Sequence, residues 1–182
     1  IDPEDPINIS ALRDLSGGAY VFWQDKKINS ESDIYFIHLD KDGKVSFRAD
    51  GKAVSTKSGS KENPIVVIDP SGNSIVMWKG RDKKNNQELF VQKVTKNGLR
   101  LWQNEGIQLT DRFEKIDYSL RVDKRGYSHT SYVCKSSTAS NKYSVRYQIL
   151  TPNGKVLTDS LKGIIFNSNS NISEVEIVPD NK

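Results

Sequence analysis

The stretch that decides the fold is Ile65-Val66-Val67-Ile68-Asp69-Pro70-Ser71-Gly72-Asn73-Ser74-Ile75-Val76-Met77-Trp78. Two apolar runs flank Asp69-Pro70-Ser71-Gly72, a turn in which Pro presets φ and Gly accepts the left-handed region, so the segment reads as two antiparallel strands. A polar stretch over residues 79–88 reads as a loop. Leu89-Phe90-Val91-Gln92-Lys93-Val94 is a third strand, and Thr95-Lys96-Asn97-Gly98 supplies an Asn-Gly hairpin turn. A fourth strand is expected over Leu99 to Trp102 and Ile107-Gln108-Leu109, interrupted by a turn or bulge at Gly106. The unit is a four-stranded antiparallel meander.

The same unit stands before and after it. Trp23, Trp78 and Tyr132 each follow a glycine (Gly17, Gly72, Gly126) by six residues and an aspartate (Asp14, Asp69, Asp123) by nine. Gly43, Gly98 and Gly154 mark the second turn of each unit, and Gly51, Gly106 and Gly163 recur eight or nine residues later. The period is about 55 residues, and the aromatic and aliphatic positions stay in phase, where a slip of one would turn every buried side chain outward. Repeats therefore cover residues 7–56, 62–111 and 115–168, and 171–182 reads as the first strand of a fourth. Tandem sheets at such a period are stacked units, and four-stranded antiparallel sheets stacked in this way are the blades of an all-β propeller. A closed ring typically holds 4 to 8 blades, so three blades and one strand are expected to be part of a larger propeller.

Composition narrows the class further. Of the 182 residues 35% are hydrophobic and 27% charged, with a formal net charge of +4. The basic excess is small and dispersed, which argues against nucleic acid as a partner. No run has the length of a membrane span, so no membrane insertion is expected, and no basic region precedes an apolar signal-like stretch in the sequence. The single Cys134 has no partner for a disulfide or a thiolate metal site and reads as a small strand residue.

One resemblance is carried by Gly17-Gly18-Ala19-Tyr20-Val21-Phe22-Trp23-Gln24-Asp25-Lys26-Lys27, then Asp33-Ile34-Tyr35-Phe36 and Asp42-Gly43. These residues resemble the GGA-hydrophobic-W-x-D-x-R … D-I-Y-x-Q … G-x-x-x-W … G repeats of large secreted or surface β-propeller proteins of Bacteroidota and other bacteria. The second repeat matches through Trp78, Arg81, Leu89-Phe90-Val91-Gln92, Asn97-Gly98, Trp102 and Gly106. The third departs from the pattern: Tyr132 replaces the Trp and the W-x-D-x-R element is missing, while Gln148 and Gly154 remain. The resemblance implies a propeller, an extracellular or cell-surface address and, for some members, type IX secretion or adhesion. It implies little about chemistry, because such repeats are scaffolds.

Candidate sites are few. Asp40-Lys41-Asp42-Gly43 begins like a calcium loop but lacks the third acidic position and the closing Glu. Its counterparts, Thr95 to Gly98 and Thr151 to Gly154, keep the turn and lose the carboxylates, so no metal and no cofactor are assigned. Asp14, Asp69 and Asp123 read as turn-fixing residues. His38 and His129 share no repeat position, no serine has a nucleophile context, and no catalytic residue is assigned. Trp23, Trp78 and Trp102 read as packing between blades before they read as sugar platforms.

The polar loops between second and third strands, residues 24–32, 79–88 and 135–142, are the candidate binding surface, with Asp25, Lys26, Lys27, Arg81, Asp82, Lys83, Lys84 and Lys135 as its residues. The first expectation is thus a non-catalytic scaffold that binds another envelope or secreted protein through one propeller face. The alternative is a carbohydrate-binding or sialidase-like glycosidase propeller, whose chemistry requires two carboxyls, or a Tyr with a carboxylate, and for acidic sugars an arginine cluster.

Overall fold

Period-two alternation and the glycine turns resolve, in the computed structural model, into twelve strands with no helix among the described residues. Those residues are 6–26, 31–81, 87–110, 115–135, 143–158, 163–170, 172 and 175–178. The first sheet comprises β1 (Ile7–Arg13), β2 (Ala19–Lys26), β3 (Ser32–Leu39) and β4 (Lys52–Ala53). The second comprises β5 (Ser60–Ile68), β6 (Ser74–Arg81), β7 (Gln87–Val94) and β8 (Ile107–Gln108). The third comprises β9 (Lys115–Val122), β10 (Ser128–Lys135), β11 (Tyr143–Leu150) and β12 (Ile164–Ser168). Each sheet is a four-stranded antiparallel meander in chain order, and the three are blades of a β-propeller.

Two apolar layers hold the blades together. Tyr20, Phe22, Ile34 and Phe36 of the first sheet pack on Val76, Trp78, Phe90 and Val94 of the second. The opposite face of the second sheet, Ile75, Met77, Leu89 and Val91, packs on Leu120, Tyr132, Cys134 and Leu150 of the third. The second sheet is therefore apolar on both faces, which is why β6 and β7 read as nearly continuous apolar runs. Among the first strands, β5 meets β1 of the first sheet and β9 of the third, and the three form the inner wall of the stack.

Two sequence expectations need correction. The fourth strand of each blade is shorter than the apolar run suggests: β4 and β8 hold two residues each, and Val45, Arg100 and Val156 make only isolated bridges to Leu39, Val94 and Leu150. The cause is steric. Gly51 and Gly106 lie at φ +79° and +88°, and a Cβ there would stand 2.4 and 2.7 Å from Cη2 of Trp23 and Trp78, so the backbone dips onto each indole and leaves the ladder. In the other direction, Asp25, Lys26, Arg81 and Lys135 are strand residues and not loop residues. They pair with Asp33, Ser32, Gln87 and Tyr143, because ladder hydrogen bonds come from the backbone and a polar side chain at a sheet end does not end the pairing. Lys27, Asp82, Lys83 and Lys84 lie outside the described residues. So does most of 171–182; the described part, 172 and 175–178, forms no strand.

Candidate functional site

Polar groups gather at both ends of the inner strands. Where β1, β5 and β9 turn into their partners, Asp14, Asp69 and Asp123 are buried and fold back on their own turns. Asp14 Oδ1 accepts the amides of Ser16 and Gly18 at 2.8 and 2.6 Å, Asp69 Oδ1 those of Ser71 and Asn73 at 2.9 and 2.8 Å, and Asp123 Oδ1 those of Arg125 and Tyr127 at 2.9 Å each. The second oxygen meets a basic side chain: His38 Nε2 at 2.9 Å from Asp14, Lys93 Nζ at 2.5 Å from Asp69, His129 Nε2 at 3.5 Å from Asp123. Burial pushes Asp14 up, but the Ser16 hydroxyl, the His38 ring and the two amides outweigh it and hold the carboxyl well below the usual range. Asp123 is lowered by the same balance, its amides from Tyr127 and Arg125 leading. These carboxylates are internally satisfied and structural.

At the other end the inner strands enclose an open pocket of about 690 Å³. Its wall is made by Asn8 and Ser10 of β1, Asn63 of β5, Asp117, Tyr118 and Arg121 of β9, Lys79 of β6, and Glu176. Two of the three inner strands are bulged there. The register slips between Ile7 and Ser10 on β1 and between Glu62 and Ile65 on β5, whereas β9 pairs evenly through Asp117. Within the bulges Asn8 and Asn63 both lie at φ 53°, the left-handed conformation that Asn tolerates better than most residues. They are the non-glycine residues with positive φ among the described residues.

A short network fixes this wall. The buried Gln24 places Oε1 where it accepts from Asn8 Nδ2 and from the Asn63 amide, at 3.0 Å each. Asn8 Nδ2 also reaches Asn63 Oδ1 at 3.3 Å. The Tyr118 hydroxyl donates to the Asn63 carbonyl, so all three blades are tied at one point. Lys79 Nζ stands 5.8 Å above the Tyr118 ring, and Arg121 Nη2 donates to Glu176 Oε1 at 2.8 Å. The pocket thus presents two carboxyl groups, Asp117 and Glu176, two cations, Lys79 and Arg121, and the two asparagines.

The sequence candidates are placed as follows. Arg81 lines a second pocket of about 410 Å³, between the first two blades, and forms an ion pair with Glu62 at 2.9 Å. Asp25 is buried at the end of β2, and Lys26 and Lys135 sit at the ends of their strands. None of these four lines the axial pocket. Trp78 is fully buried; Trp23 stacks on Tyr35 and Trp102 lies against Gly154 with Nε1 donating to Pro152 O at 3.3 Å, so all three indoles pack between or within blades. Asp40 caps its own turn through the amides of Asp42 and Lys44. Burial pushes the Cys134 thiol up to about 12, against the weaker pull of Arg146, which leaves it inert. Among the described residues no group of three His, Cys, Asp or Glu side chains is placed to hold a metal ion. Arg121 and Glu176 belong to no motif. Asn8, Asn63 and Asp117 do carry a signal, since they are spaced 55 and 54 residues apart, the period of the repeat itself.

No protein-family model matches the chain, and no curated protein matches it. Solved structures do. The chain is similar to a thermostable family-43 glycoside hydrolase, with a TM-score of 0.50 and 11% identity over 86% of this chain and 55% of that one. It is similar also to an alpha-L-arabinofuranosidase from Lactobacillus brevis, with a TM-score of 0.50 and 9% identity over 93% of this chain and 57% of that one. The chain spans just over half the length of each, and at this identity the likeness is one of fold. It corrects the expectation of a module that is not an enzyme. The fold is one on which glycoside hydrolases are built, so the lack of a catalytic motif in a repeat sequence does not mark the chain as a bare scaffold.

Proposed function

We propose that the chain is a carbohydrate-active propeller module of glycosidase type, acting outside the cell or at its surface, with the axial pocket as its sugar site. The observation that carries this reading is the pocket itself: two carboxyl groups, Asp117 and Glu176, on a wall of hydrogen-bonding side chains where three blades converge. Glycoside hydrolysis uses one carboxyl to protonate the leaving oxygen and a second to attack the sugar or activate water. Arg121 positions Glu176 for such a role. The ligand class follows from charge. Two carboxylates face two cations on the described wall, and the single arginine is already paired, so a sialic acid or uronate would find no surplus cation. A neutral glycan fits, and an L-arabinofuranoside is the first to try, given the arabinofuranosidase among the structures of like fold.

The test is calorimetric titration of the chain with arabinan and arabinoxylan fragments and with sialyllactose, beside an assay on p-nitrophenyl α-L-arabinofuranoside. Neutral fragments should bind and sialyllactose should not. Asp117→Asn and Glu176→Gln should each lower turnover by about 100-fold or more while leaving binding measurable. A chain that neither binds nor cleaves any neutral glycan sinks the reading.

A further inference from the structure

Resting on the sugar-site reading above, we infer that Asn8 and Asn63 form a paired acceptor and donor that recognises two adjacent hydroxyl groups of a neutral sugar. The two asparagines occupy the same position in successive repeats, and each sits in a bulge at the pocket wall. A bulge re-aims one side chain and adds local strain, and it recurs beside functional sites more than elsewhere. Here it occurs twice, on the two inner strands that face each other, and not on β9. A blade can be built without it, as the third one is, so the strain on β1 and β5 is not demanded by the fold.

Hydrogen bonding then fixes the polarity of the pair. Asn8 Nδ2 is spent on Gln24 Oε1 and Asn63 Oδ1, which leaves Asn8 Oδ1 as an acceptor with no partner among the described residues. Asn63 Oδ1 accepts that same contact, and Asn63 Nδ2 is a donor with no partner among the described residues. Both side chains are exposed to the pocket. An acceptor beside a donor is the complement of a vicinal diol, in which one hydroxyl donates and its neighbour accepts. Gln24, buried behind them, is a positioning residue: its carbonyl oxygen sets the side chain of Asn8 and the backbone of Asn63 together. Neither asparagine carries a charge, which agrees with a neutral ligand.

Glycine separates the recognition role from the backbone role, because Asn→Gly keeps the left-handed conformation while removing the carboxamide. The neutral oligosaccharide that the unaltered chain binds best is titrated calorimetrically, together with its monodeoxy analogue, against Asn8→Gly, Asn63→Gly and Asn63→Asp. Each Asn→Gly change should weaken binding about tenfold or more, and should abolish the preference for the parent sugar over the deoxy analogue. Asn63→Asp, which keeps tolerance of positive φ but has no donor, should behave like Asn63→Gly and guards against a folding artefact. If the glycine variants bind and discriminate as the unaltered chain does, the pair is structural and this inference falls while the sugar-site reading stands. If the unaltered chain binds no neutral glycan, both fall.

Discussion

At one end of the inner strands Asp14, Asp69 and Asp123 are buried, bonded to their own turn amides and set against His38, Lys93 and His129. At the other end Asn8, Asn63 and Asp117, again one from each repeat, border an open pocket and keep polar atoms in reach of solvent. Both sets obey the same period, so recurrence in the sequence does not by itself tell a structural position from a binding one. What separates them is satisfaction. A carboxylate taken out of water must find its partners inside the protein, and the aspartates have done so. Asn8 has spent its side-chain amide on Gln24 and Asn63, while Asn8 Oδ1 and Asn63 Nδ2 have no partner among the described residues.

Substitutions at the two ends should differ accordingly. The largest effect is expected for Asp69→Ala, which removes two amide contacts and leaves the Lys93 ammonium buried and without its carboxylate. A loss of about 3–5 kcal/mol in urea unfolding is expected for breaking such a pair; a loss below ~1 kcal/mol would mean that the aspartate end is no more structural than the pocket end.

Next comes Gly106→Ala, which adds a methyl 2.7 Å from the Trp78 indole at φ +88° and should lower stability by about 2–4 kcal/mol. Its control is Gly43→Ala, at φ +78° with nothing within 4 Å, where only backbone strain of about 1 kcal/mol remains. Equal losses at the two glycines, read from thermal unfolding, would remove the indole contact as the reason for the short fourth strand.

Acid sharpens the comparison in a different way. Asp14 and Asp123 are held below the usual carboxylate range in the folded chain. The unfolded chain therefore takes up their protons first, and the stability they contribute is full above about pH 4 and is lost progressively as pH falls further. Unfolding midpoints followed from pH 6 to pH 2.5 should drop, and Asp14→Asn should flatten that drop; an unchanged slope in Asp14→Asn would detach the aspartate from the acid sensitivity. The smallest effect belongs to the pocket: Asn8→Gly and Asn63→Gly should shift stability by no more than about 0.5 kcal/mol, since glycine accepts the same φ. A large loss there would make the asparagine bulges structural too, and the contrast between the two ends would disappear.

Much of this was legible in the residues. Asp69-Pro70-Ser71-Gly72 and Asn97-Gly98 are local signals, since turn chemistry acts over four residues, and the alternation in Ser74-Ile75-Val76-Met77-Trp78 places side chains on two faces with no reference to the rest of the chain. The strand ends were less legible. Lys79, Arg81 and Lys135 look like loop residues because they are polar, yet their backbones continue the ladder. The shortening of β4 and β8 came from Trp23 and Trp78 pressing on glycines 28 residues further along the chain, a contact that no local pattern encodes.

The sequence by itself determined the repeat, the meander within each unit, the turns that close it and the stacking of the units into propeller blades, because each of these follows from spacing and from the conformational preferences of single residues. Only the tertiary structure decided that Asn8, Asn63, Asp117, Arg121 and Glu176 share one pocket, that two of the three inner strands bulge there, and that the repeated aspartates are sealed at the opposite end. These residues are brought together from different blades by the packing of whole sheets, and the direction in which each side chain points depends on bulge and register. Periodicity can say that positions are equivalent; burial and hydrogen-bond satisfaction say which of them are left open to a ligand.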